Sequence, residues 1–198
     1  MADFTQAVQY ALKLLENDLP RMLTYHGIIH TRDDVVIACE TYANHIGLPD
    51  EERLVLLTAA WYHDVGFIRQ IKNHEEASVD IASKNLKRFG YTPDQINAIS
   101  TLIMATKMPQ QPHSYLQKLL ADADMDSLGR EDFFDVCVRL RSEMQYFGMM
   151  FSEYEWWDFE MKFLTNHDYF TEVAAKLRDK QKQKNLQEVQ RRLRLHAS

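Results

Sequence analysis

The chain has 198 residues, 45% hydrophobic and 26% charged, with a formal net charge of −6, enough for one sizeable core and ordinary for a globular protein. Its two cysteines, Cys39 and Cys137, lack disulfide-framework or zinc-site spacing, and no apolar run approaches the ~20 residues that cross a bilayer. Without a basic-then-apolar leader pattern at the amino terminus, the expected setting is soluble and cytoplasmic. The charge is uneven: residues 176–198 hold eight Lys or Arg against two acids, a local +6 that leaves −12 on residues 1–175. An acidic body disfavours a broad nucleic-acid surface, while a small anion can still be met locally by a cation.

Six glycines and five prolines fall mostly between apolar-periodic runs, with no series of alternating strand-like stretches, so the predicted class is all-α, a single compact bundle. A first helix is expected near 4–18, then the Pro20 break, a turn carrying Tyr25 to Ile29, and a second helix from about His30 to His45. Pro49 starts a third that ends at Tyr62 and delivers His63-Asp64 at its terminus, where Gly66 lets the chain turn. His74 opens a fourth that runs through Phe89 to Gly90. Thr92-Pro93-Asp94-Gln95 places an N-cap hydroxyl, a first-position proline and a third-position Gln at the start of a helix reaching Lys107. After the Met108-Pro109-Gln110-Gln111-Pro112 loop come helices near 114–125, 130–147, 153–166 and 170–195. The expected organisation is a domain over 1–175 and a basic helical tail over 176–198 continuous with it. Leu177, Leu186, Val189, Leu193 and Leu195 give that tail a partial stripe, suited to docking on the body or pairing copies into a homo-oligomer. Catalysis is expected to survive its removal.

Ala59-Ala60-Trp61-Tyr62-His63-Asp64 ends an apolar helix in two adjacent metal-ligand side chains. His30 lies upstream, and Leu120-Ala121-Asp122-Ala123-Asp124 supplies a distant acidic pair. Nitrogen and oxygen donors brought together from separate helix ends are what a metal site in a bundle requires. The pattern of a histidine, a His-Asp pair and a distant aspartate resembles the HD-domain metal-dependent phosphohydrolases. Asn73-His74-Glu75-Glu76-Ala77-Ser78, Ala105-Thr106-Lys107 and Asp122-Ala123-Asp124-Met125-Asp126-Ser127-Leu128-Gly129 are similar to segments around the active site in small bacterial members, over roughly residues 25–130. The resemblance implies His30, His63, Asp64 and Asp124 as ligands, with Asp122 the second choice for the last place.

Two imidazoles and two carboxylates suit Mn, Mg, Fe, Co or Zn without choosing among them. The implied reaction is hydrolysis of a phosphoester or phosphoanhydride in a small molecule, with a nucleotide or cyclic nucleotide the leading candidate. Asp64, His74, Glu75 and Lys107 are the expected catalytic residues. His74 can bind phosphate, protonate a leaving oxygen or hold a second metal; Glu75 can orient water or accept its proton; Lys107, and less strongly Arg69, can clamp phosphate. Ile68 stands where the nucleotidase-like pattern has a glutamate. His26 is read as stabilising its turn, Asn166-His167-Asp168 as a hydrogen-bonding helix junction, and Trp156, Trp157, Phe159, Phe163, Tyr169 and Phe170 as core. The rival reading is a non-catalytic metal- or nucleotide-binding sensor.

Overall fold

The computed structural model describes residues 1–196. Among them there is no strand, and nine α-helices form the bundle: α1 (Phe4–Asn17), α2 (Val36–Ile46), α3 (Asp50–Tyr62), α4 (His74–Asn85), α5 (Pro93–Ala105), α6 (Tyr115–Asp124), α7 (Phe133–Tyr146), α8 (Glu153–Asn166) and α9 (Glu172–Leu195). Their starts follow local chemistry. Thr92, Ser114 and Ser152 each accept from the amide three residues on, and Gln95, Gln117 and Glu155 reach back in reciprocal capping boxes. Two expected helices are subdivided. The one from His30 begins with a π-helical stretch, His30–Val35, before α2, and the one from His74 tightens into a 3₁₀ turn, Leu86–Phe89, after α4.

Helix α3 runs through the middle. Val55 to Tyr62 are all buried, the pattern of a helix covered on every side, and α1, α2, α5 and α6 pack around it. Ala7, Ala11 and Leu15, spaced by four, turn one face of α1 inward, and the Tyr62 hydroxyl donates to Ala7 O at 3.0 Å. A second apolar cluster gathers Leu128, Phe133, Cys137, Trp156, Trp157, Leu164 and Val189. Cys39 and Cys137 are both buried and free, one in each cluster.

The basic segment is bound to the body along its length. Ala174 belongs to the first cluster and Val189 to the second. Arg178 Nε donates to Asp126 Oδ1 at 2.6 Å, Lys182 Nζ to His167 O, and Asn185 Nδ2 to Leu128 O and Arg130 O at 2.9 and 2.8 Å. A Cβ at Gly129 would lie 2.4 Å from Arg178 Cβ, so only glycine lets α9 pass this close. A tail that merely touches the surface would not bury Lys182 and Asn185. Among the described residues no helix is long and apolar enough to cross a membrane.

Candidate metal centre

His63 ends α3, and its Nδ1–H donates to Ala60 O at 2.7 Å. That bond fixes the tautomer and leaves the Nε2 lone pair facing the centre, buried and without a hydrogen-bond partner. His30 opens the π-helical stretch, whose wide turn is marked by Val36 N donating to Thr31 O, five residues back. Its Nε2 lies 3.1 Å from Asp124 Oδ1 and its Nδ1 3.7 Å from Asp34 Oδ2, one turn on. Asp34 is held in turn by Arg130, at 2.6 Å.

Asp124 ends α6, with Oδ1 3.7 Å from His63 Nε2 and Oδ2 accepting from Gln110 Nε2 at 3.2 Å. Donor atoms of His30, His63 and Asp124 all lie within 4.8 Å of one another. Asp64 adjoins that triplet: its Oδ2 is 3.2 Å from His63 Nε2 and 3.8 Å from His30 Nε2. His74 enters from α4, with Nε2 3.4 Å from Asp64 Oδ1. Gly66 makes this approach feasible, because a Cβ there would lie 1.9 Å from His74 O. Ser78 closes the joint by accepting from Gly66 N at 2.8 Å and donating to His63 O at 2.6 Å.

Burial opposes a charge on His30, but the hydrogen bond to Asp124 and the nearby carboxylates of Asp34 and Asp64 prevail and raise its pKa to about 10. His63 is likewise raised, against burial, by Asp64 and Asp124. Burial would lift Asp64, yet His63 and His74 hold it well below the usual carboxylate range. The negative field that raises both imidazoles is one that would equally attract a divalent cation. The donor set fits such a cation: His63 Nε2 and Asp64 Oδ2 are buried polar atoms left without partners, a costly state unless a ligand completes it.

Asp122 faces elsewhere. It accepts from Phe170 N, Thr171 N and Thr171 Oγ1 at 2.7, 2.9 and 2.5 Å, anchoring the start of α9. Burial pushes its carboxyl up to about 6 in spite of those bonds. Glu75 is buried beside His74, with Oε1 3.7 Å from its Nε2. Lys107 is held by Glu76 and by Asn73 Oδ1, and Arg69 by Asp80 at 2.6 Å, so each cation already has an acidic partner. His26 secures its turn through Glu143, which accepts from His26 Nδ1 at 2.5 Å and from the Tyr25 and His26 amides.

The HD domain family matches residues 28–127, half of the chain, and that stretch carries every donor just described. The chain belongs to the HD-domain family. No curated protein and no solved structure matches it. HD domains generally bind divalent metals and act as metal-dependent hydrolases.

Beyond the HD ligand pattern, sequence reading missed Asp34, Gln110, Glu143 and Glu160. Only Asp34 carried a local signal, its four-residue spacing from His30. His167 is a hydrogen-bonding helix junction through its backbone, its N–H donating to Phe163 O at 3.1 Å and its carbonyl accepting from Lys182, while both ring nitrogens are buried without partners. Burial and the Lys182 charge lower that ring's pKa to about 4.

Proposed function

We propose that His30, His63, Asp64 and Asp124 hold one divalent cation and that the centre hydrolyses a phosphoester or phosphoanhydride bond in a small molecule, foremost a nucleotide or cyclic nucleotide. The observation that carries this reading is the His63 ring, whose Nδ1–H is committed to Ala60 O while its buried Nε2 has no partner beside three other donors. Bound there, the cation supplies Lewis acidity toward a phosphoryl oxygen and makes a nearby water acidic. Gln110 positions Asp124, and the Asp34 carboxylate lies 3.7 Å behind His30 at Nδ1.

His74 is the residue placed to meet substrate. Its ring stacks on Phe67 with centroids 3.8 Å apart, its Nδ1–H donates to Ile71 O at 3.2 Å, and its side chain is 18% exposed. Nε2 is thereby left to contact a phosphoryl oxygen or to hand a proton to the leaving oxygen. Glu75, one residue on, is the group to accept the proton of the attacking water. The catalytic domain over 1–175 is completed by the rest of α9, which braces it.

Purified protein loaded with Mn, Mg, Fe, Co or Zn and screened against nucleotides, cyclic nucleotides, pyrophosphorylated nucleotides and generic phosphoesters should turn over at least one class. Unchanged metal occupancy in both His63→Ala and Asp64→Ala would remove the site. The pairing of Lys107 with Glu76 and of Arg69 with Asp80 favours the second reading, a sensor that binds without hydrolysis. A metal-replete protein that binds a nucleotide and turns over nothing would establish it.

A further inference from the structure

A cavity of about 230 Å³ lies between the metal centre and helices α7 and α8. Tyr25, His26 and Met125 form the wall shared with the centre: the Tyr25 and His26 rings lie 4.7 and 5.9 Å from that of His30, and Met125 follows Asp124. The opposite wall is aromatic, from Phe133, Phe159 and Phe163. Into this apolar lining α8 brings one acid, Glu160, which is 3% exposed and whose Oε1 has no hydrogen-bond partner.

A carboxyl so placed weakens the fold, because an unsatisfied buried polar group costs free energy that a leucine of similar size would not. Its presence is accounted for when something in the cavity completes it. A hydrocarbon chain would fill the space yet leave Oε1 unpaired. A planar nitrogen heterocycle does both, since its faces pack on aromatic walls and its edge N–H donates to the carboxyl. The volume takes such a ring and leaves any phosphate outside, toward the shared wall.

We infer that this cavity seats the nucleobase of the substrate, with Glu160 receiving the base's N–H. The assignment rests on the proposed hydrolase reading for its substrate class, and its test is independent of turnover. Adenosine, guanosine, cytidine and uridine, which carry no phosphate, are titrated by calorimetry into the full chain in the presence of EDTA. At least one nucleoside should bind. Glu160→Leu should weaken that binding tenfold or more while the melting temperature holds or rises, which a merely structural carboxyl would not do. Leu140→Trp, which fills the cavity from α7, should weaken it similarly in a protein of unchanged circular dichroism. Absence of binding by all four at millimolar concentration overturns the inference, as does affinity unaltered by Glu160→Leu. So does binding of decanoate without any nucleoside, which would make the cavity a hydrocarbon site. Nucleoside binding without hydrolysis of any phosphorylated compound would leave the pocket standing and remove the hydrolase; hydrolysis without nucleoside binding would do the reverse.

Discussion

Glu160 makes the stability of this protein depend on pH in a direction opposite to most carboxylates. Burial raises its pKa from the usual 4.5 to about 7, with the Cys137 thiol offsetting part of the rise. The folded state therefore holds the Glu160 proton more tightly than the unfolded chain. The stability this confers is complete below the unfolded pKa and is lost as pH rises through the folded one. Integrated from about pH 5 to about pH 8, the loss is roughly 2.5 kcal/mol. Glu160→Gln keeps the shape and cannot titrate. Urea unfolding of both proteins in EDTA at the two pH values should show the wild type losing that much more stability than the variant. Asp122, with its own carboxyl raised to about 6, acts in the same sense but is present in both proteins and cancels. Parallel pH dependences would refute the reasoning and mean that Glu160 finds a partner or water in solution.

Metal analysis should find stoichiometric loss in His63→Ala and Asp124→Ala, whereas Asp122→Ala should keep its metal and lose on the order of 2 kcal/mol, because three hydrogen bonds to the start of α9 disappear. A greater metal loss from Asp122→Ala than from Asp124→Ala would reverse their assignment. His74→Ala and Glu75→Gln should retain helical content and metal while turnover on the identified substrate falls roughly 10²-fold; normal turnover in both would place the chemistry elsewhere. A chain ending at Ala175 loses Arg178, Asn185 and Val189, and should unfold without cooperativity or at a much lower temperature. A cooperative, fully active truncation would show that α9 is dispensable.

The helices were legible because their signals are local. Capping residues at Thr92, Ser114 and Ser152 and the uninterrupted apolar run of α3 mark starts and burial without knowledge of the neighbours. The His-Asp pair and its distant partners were legible as a set. The choice between Asp122 and Asp124 was not: two positions on a helix lie about 200° apart, which places them on opposite faces without saying which face meets the metal. The π-helical turn at His30 escaped because the phase shift of about 100° that one extra residue introduces falls at the start of the helix, before an apolar stripe is long enough to show it. The embedding of α9 escaped for a different reason. Lys182 and Asn185 read as solvent-facing, and they are buried by bonding to backbone carbonyls that no side-chain pattern records.

The division of the interior into two apolar clusters separates what can change from what cannot. His63, Asp64 and Asp124 adjoin Tyr62, Val65 and Ala123 of the first cluster in the chain, whereas Phe133, Cys137, Leu140, Met144 and Phe163, which line the cavity, belong to the second or pack on it. An exchange of side chains at Leu140 or Met144 would recontour the chamber while leaving the donor atoms of His30, His63, Asp64 and Asp124 where they are, and methionine's flexible thioether makes such exchanges mild. On the proposed reading, exchanges there would alter which compound is accepted and leave the donor set untouched. The donor set and the cavity thus rest on separate supports, with α9, through Ala174 and Val189, as the strut between them.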